Sequence, residues 1–268
     1  MRRINKELRP RFREVRLTVI FYHRKGRAIM GRYSVVLFDY GGTLVDFYRR
    51  DQFPEVLREA LSEASPYLLE NEETMPPDTG VWDRVSREDR ERSDHRVRPL
   101  EERLARIFKT DHSHRLQAAA TAFTRVIRGH GVAIPGGRAM LTDLTERGYR
   151  LGLVSNTPWG CPGKEWLRDL DDRGLRVLFE HVVTCRDVGY RKPAPVVYRH
   201  ALDLFDAQPG DCLFVGDDPL WDVHGPQSIG MDALLFDRQG TGQISASVRT
   251  LSDVVAYLDG RCMPSING

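Results

Sequence analysis

The sequence predicts an α/β fold: a parallel sheet flanked by helices, with an all-helical subdomain inserted near its start. Three observations predict it. From Ile134 onward, short apolar runs alternate with helical spacings, which calls for parallel strands joined by right-handed crossovers. Three apolar runs stop abruptly at Asp39, Ser155 and Asp217, and in open α/β sheets ligands bind just beyond the carboxyl ends of strands. Between the first such run and the rest, residues 48–132 carry helical spacing and no strand pattern.

Composition sets the outer limits. At 268 residues the chain can bury a sizeable core, as one large domain or a core with an insertion. No apolar run approaches the roughly 20 residues needed to span a bilayer. The charged N-terminus is followed by no apolar segment with a small-residue cleavage site, so no secretory signal is expected. Cys161, Cys185, Cys212 and Cys262 show no Cys-x-x-Cys spacing, and free thiols in a reducing cytoplasm are the expectation. The net charge of +2 conceals an asymmetry, because residues 1–32 carry eleven Lys/Arg against Glu7 and Glu14. Such an arm suits nucleic acid, an anionic surface or an Arg-rich leader, although it lacks serine. Met30 stands where a compact chain of this type would begin, so residues 1–32 are read as a basic extension, and neither a membrane nor a nucleic-acid partner is expected.

Taken in order, residues 1–29 show no sustained periodicity, and Leu17 to Tyr22 fits a short strand or helix equally. Val35 to Phe38 form an apolar run ending in Asp39, the pattern of a strand buried on both faces. Phe53, Val56, Leu57, Ala60, Leu61 and Ala64 follow helical spacing, with Pro54 in the first turn and Pro66, Pro76 and Pro77 as breaks. Eleven of the sixteen residues from Asp83 to Arg98 are charged, which predicts a solvated helix or mobile lid. Leu100 to Phe108 and Leu116 to Ile127 resume helices, and Gly129 and Gly131 close the second. Beyond them the pattern predicts helix to Glu146, strand Arg150–Val154, helix Glu165–Leu170, strand His181–Thr184 and helix Pro195–Phe205. Strand Cys212–Val215, a helix around Asp222–Ile229, strand Ala233–Phe236 and a last helix over Ser247–Leu258 complete a Rossmann-like core. The domain plan is a core of residues 33–47 and 133–268 with a helical cap at 48–132.

The chemistry sits in four short stretches. Asp39-Tyr40-Gly41-Gly42-Thr43 puts a carboxylate at a strand end, followed by glycines that let the backbone turn and approach a ligand. Alone, Asp39 is equally a turn cap, a metal ligand or a nucleophile. Ser155-Asn156-Thr157 ends a second strand in hydroxyl and amide groups. Lys192 stands in a loop before a helix, and it is one of only five lysines against thirty-five arginines. Gly216-Asp217-Asp218, with Asp222 four residues on, gathers carboxylates that would repel one another without a cation.

This ordered set resembles the haloacid dehalogenase superfamily, over roughly Ser34 to Leu44 and Ala133 to Asp237. The resemblance implies an Mg²⁺-dependent hydrolase, a phosphatase of a small phosphorylated metabolite that forms an aspartyl-phosphate. In it Asp39 is the nucleophile, with Ser155 and Lys192 catalytic. Gly42, Thr43 and Asn156 bind substrate, and Mg²⁺ is held by Asp39, the Gly41 carbonyl, Asp217 and Asp222. Asp218 assists Asp222 in holding metal-bound water or orienting Lys192. A cap at 48–132 closes over the site, where Arg84, Arg87, Arg103 and Arg106 are candidates to face an anionic substrate, though solvated surface is the more ordinary role for each. Trp159, Cys161 and Tyr190 are candidates to shape the pocket.

One departure stands out. Phosphatases of this kind usually carry an acid–base Asp where this chain has Gly41. General acid–base help is worth about 10²–10⁴-fold. The enzyme acts on esters with good leaving groups, or Asp46 or a cap side chain stands in, or ester hydrolysis is lost. The alternatives are a catalytically weak binding or regulatory protein, a dehalogenase, and a phosphonatase that would need Lys109, the sole lysine of the cap. A dehalogenase would not require Asp217, Asp218 and Asp222.

Overall fold

The computed structural model describes residues 20–22, 28–30, 32–69, 79–90 and 92–260. Most of the basic arm, the Pro76–Pro77 break and Cys262 lie outside them. Within the arm, β1 (Ile20–Tyr22) and β2 (Ala28–Met30) pair antiparallel.

β3 (Val35–Phe38) is the first strand of the main sheet, and all four residues are fully buried. Its period-two alternation sends Val36 and Phe38 into one apolar cluster and Val35 and Leu37 into the other, so one short strand serves two cores. β4 (Val45–Asp46) follows at once. The chain then runs through α1 (Phe53–Ala64), α2 (Thr79–Glu88), α3 (Leu100–Phe108) and α4 (Ser113–Gly129) before β5 (Val132–Ala133) returns to pair antiparallel with β4. Residues 48–131 thus leave and re-enter through adjacent strands. α1 buries Val56, Leu57, Ala60, Leu61 and Ala64 and packs mainly on α4. Truncating fully buried Leu61 to Ala would cost about 2–5 kcal/mol.

The remainder alternates: α5 (Gly137–Glu146), β6 (Arg150–Ser155), α6 (Gly163–Asp172), β7 (His181–Thr184), the one-turn α7 (Cys185–Val188), α8 (Pro195–Phe205) and β8 (Cys212–Gly216). A wide π-type turn over Pro219–His224 and the short α9 (Gly225–Gln227) lead to β9 (Asp232–Phe236), β10 (Ser247–Val248) and α10 (Leu251–Leu258). The sheet order is β10-β9-β8-β3-β6-β7, and every pairing is parallel. β3 lies between β6 and β8, so the ends of the three chemistry-bearing strands adjoin. Among the described residues no helix is long and apolar enough to cross a membrane.

Three expectations are corrected. The last helix begins at Leu251 rather than Ser247, because Ser247 and Val248 pair with Leu235 and Phe236 as an edge strand, and Thr250 with Asp253 then forms a capping box. The charged stretch from Asp83 is helical only to Glu88. Beyond a turn, the segment to Arg98 packs on the loop before Lys192, with Val97 N–H donating to Gly189 O and Arg191 N–H to His95 O. Glu88 is buried there and takes Arg98 and Arg106, which neutralises charge that would otherwise seek water. The helix expected around Asp222–Ile229 is instead the wide turn followed by one short helix, and Pro226, which lacks an N–H, stands where the two meet.

Candidate active site

Asp39 follows directly on β3, where its N–H still donates to Val215 O of β8, and its side chain is 10% exposed. Lys192 reaches in from the loop before α8. Its Nζ donates to Asp39 Oδ1 and to Asp222 Oδ1, each at 2.7 Å, with both Lys192 and Asp222 out of solvent. Burial alone would strip the proton from Lys192, but Asp222 and Asp39 outweigh it and raise its proton affinity. The Asn156 side chain fixes the same loop: Lys192 N–H donates to Asn156 Oδ1 at 2.9 Å, and Asn156 Nδ2 donates back to Lys192 O at 3.3 Å. Ser155, at the end of β6, is nearly fully buried and its Oγ donates to Asn156 O at 3.2 Å.

The carboxylates come from β3 and from the segment after β8. Oxygens of Asp39, Asp217 and Asp222 lie within 4.8 Å of one another. Burial, then Asp39 and Asp222, push the Asp217 carboxyl up to about 8. Burial and Asp39 push Asp222 up to about 7 against the pull of Lys192. The direction is what three carboxylates sharing one ammonium require, and it marks a site short of positive charge. A hard divalent cation fits this donor set. The backbone is shaped around it. Gly42 has φ +88°, and a Cβ there would lie 2.3 Å from Asp217 Oδ2. At Gly216 a Cβ would strike Asp222 Cγ at 2.3 Å. Gly41 is different, since a Cβ there would meet only the Phe47 ring, at 3.5 Å, an ordinary contact. A Cβ at this position is therefore tolerated.

A cavity of about 790 Å³ opens over this cluster, lined by Asp39, Gly41, Gly42, Ser155, Lys192 and Asp217 on the sheet side. Asn156 lines it too. Thr43 does not: it is fully buried, and its Oγ1 donates to Asp217 Oδ1 at 3.2 Å, so it holds a carboxylate instead of facing the cavity. Asp218 caps the turn that follows, accepting from Leu220 and Trp221 N–H, both at 2.9 Å, and takes Arg50 at 2.5 Å. Asp46 is drawn away by Arg238, which bonds both its oxygens at 2.7 Å. Of the candidate arginines, only Arg103 lines the cavity, beneath the Trp159 ring. Arg84 donates to Ile107 O, Arg106 pairs with Glu88, and Arg87 is exposed. Trp159 also lines the cavity, with its Nε1–H on Asp89 at 2.8 Å. Cys161 is fully buried behind it, its thiol pushed up to about 12 by desolvation, and Tyr190 lies under the Arg96 guanidinium instead.

Sequence reasoning missed Arg50, Trp221 and His95. Arg50 and Arg191 both lie over the Trp221 ring at the mouth, 5.6 and 4.9 Å from its centroid. No local pattern marks these residues, because each acquires its place through a partner distant in the chain.

Residues 33–230 match the model of the haloacid dehalogenase-like hydrolase family, and the chain belongs to that family. Its fold is similar to that of an HAD phosphatase from Thermococcus onnurineus, with TM-score 0.60, 24% identity, and coverage of 85% of this chain and 98% of that one. It is equally similar to a 2-haloacid dehalogenase from Pseudomonas syringae, with TM-score 0.61, 23% identity, and coverage of 86% and 100%. In sequence it is 35% identical over 107 residues to a glyceraldehyde 3-phosphate phosphatase of Pyrococcus abyssi, covering 38% of this chain and 42% of that protein. It is 34% identical over 124 residues to a phosphoserine phosphatase of Thermus thermophilus, covering 46% and 48%. The match thus spans less than half the length of either relative.

Proposed function

We propose that this hydrolase is an Mg²⁺-dependent phosphatase of a small phosphorylated metabolite, acting through an aspartyl-phosphate on Asp39. The observation that carries the reading is the Lys192 ammonium bonded to Asp39 and Asp222, with Asp217 beside them. A dehalogenase has no use for the extra carboxylates. The phosphatase names of the two sequence relatives support the same choice, whereas the likeness to a dehalogenase is one of fold.

In this reading one Asp39 oxygen stays with Lys192 while the other attacks phosphorus in line with the departing oxygen. Lys192 neutralises charge where nucleophile and phosphate meet. Ser155 Oγ and the Asn156 N–H donate to phosphate oxygens. Mg²⁺ would be held by Asp39, the Gly41 carbonyl, Asp217 and Asp222, and would supply charge neutralisation on the transferring group. Water then attacks the phosphorus, releasing inorganic phosphate and restoring the Asp39 carboxylate. Residues 48–132 serve as the cap over a core of 33–47 and 133–268, and residues 1–32 are an extension.

The test is phosphate release from a panel of monoesters with Mg²⁺ and with excess chelator. Metal-dependent release that disappears in Asp39→Asn supports the reading. Mg²⁺ binding without release from any ester sinks it and leaves a binding protein.

A further inference from the structure

The cavity combines two features that together select the alcohol half of the ester. First, among the described residues no carboxylate around it is left to replace the acid that Gly41 lacks. Among the described residues, Asp46 is committed to Arg238, and Asp218 to Arg50 and two backbone N–H groups. Asp89 accepts the Trp159 indole N–H, and Asp217 belongs to the carboxylate cluster. Tyr48 lines the cavity, but burial raises the proton affinity of its hydroxyl above the ordinary phenol value and makes it a weaker acid. His95 also lines the cavity, and the variant His95→Gln asks whether its imidazole is the acid. Second, aromatic side chains line the cavity. Tyr48 and Phe53, whose ring centroids are 5.1 Å apart, face it together with Trp159 and Trp221. A volume of about 790 Å³ has room for a ring-sized group.

We propose that the substrate is a phosphate monoester of an aromatic alcohol whose anion is weakly basic, a phenol-type ester, with the ring held by Tyr48 and Phe53. This rests on the phosphatase reading above. When Asp39 attacks, the phosphorus–oxygen bond to the alcohol breaks and the oxygen leaves with the electron pair. An alkoxide must be protonated as it departs, since its conjugate acid has a pKa near that of water, about 15.7. A phenolate, with a conjugate-acid pKa of about 10, leaves unaided and takes its proton from solvent afterwards. An enzyme without the acid therefore keeps aryl esters and loses alkyl ones by about 10²–10⁴-fold. The proposal departs from the two sequence relatives, whose names carry alkyl esters.

Three probes separate ring from leaving group in the full chain with Mg²⁺: phenyl, benzyl and ethyl phosphate. Phenyl phosphate should have the highest kcat/KM. Benzyl phosphate, which keeps the ring but releases an alkoxide, should fall by about 10²-fold or more. Ethyl phosphate should lose further through KM. In Gly41→Asp the phenyl-to-benzyl gap should close by a similar factor, since a Cβ meets only ordinary contacts at that position. Equal kcat/KM for phenyl and benzyl phosphate would overturn the inference while leaving the phosphatase reading intact. If His95→Gln then opened the gap, His95 would be the acid. A gap unchanged in Gly41→Asp would overturn the link to the missing acid. Release from none of the three would sink the phosphatase reading itself.

Discussion

The strand-end cluster and the mouth of the cavity both join residues far apart in the chain through ion pairs, yet their surroundings differ. Lys192 and Asp222 each have side chains 1% exposed, and Asp39 10%. At the mouth, Arg50 is 85% exposed while its partner Asp218 is 13% exposed. In the cluster each charge has lost its water and depends on its partners. At the mouth solvent can replace the Arg50 partner, and Asp218 keeps two backbone N–H donors without it. The difference teaches that similar bond lengths carry unequal consequences, and that the inner cluster tolerates no loss whereas the rim can vary with substrate.

Four experiments break or sharpen this contrast. Asp39→Asn removes the proposed nucleophile and should cost on the order of 10⁴-fold or more in kcat, measured as phosphate release, while thermal unfolding shows the fold retained. Lys192→Met leaves Asp39 and Asp222 buried without their cation, and should lower stability by about 3–5 kcal/mol in denaturant unfolding. Excess Mg²⁺ should restore part of that loss, and a variant as stable as the parent would contradict the dependence argued above.

The third experiment is a pH series on chelator-treated protein. The carboxyls of Asp217 and Asp222 are raised to about 8 and about 7 in the fold, against an ordinary value near 3.8. Between those limits the native state binds more protons than the unfolded chain, so stability should fall as pH rises from about 4 to 8. Saturating Mg²⁺ favours the ionised carboxylates and should flatten or reverse that slope. A melting temperature independent of pH without metal would count against the charge deficit. The fourth and smallest effect is expected at Arg50→Ala. It should change stability by less than about 1 kcal/mol, since its side chain is solvated, and alter KM more than kcat. A large stability loss there would erase the contrast between rim and cluster.

Much of the sheet was legible because burial on both faces leaves a plain signature. Val35 to Phe38 could be placed as a strand, and Asp39 at its end, from four apolar residues and a sudden carboxylate. The edge strand Ser247–Val248 was not legible, since two residues carry no period and only the pairing with β9 makes them a strand. The charged run beyond Asp83 misled for a related reason. Composition counts its charges, but Glu88 is buried because Arg98 and Arg106, ten and eighteen residues on, meet it. Thr43 was legible as a residue of the loop after Asp39, but not as the donor to Asp217, 174 residues away.

By itself the sequence determined the alternation of strands and helices and which strands end in Asp39, Ser155 and Asp217. Those properties follow from local periodicity, and a local pattern is enough to state them. Only the tertiary structure decided that Lys192 serves Asp39 and Asp222 together, that Asp46 is spent on Arg238, and that space remains at Gly41. Long side chains reach across the fold, and which partners they meet depends on strand order and on the desolvation of both groups. Neither is written in any one stretch of the chain.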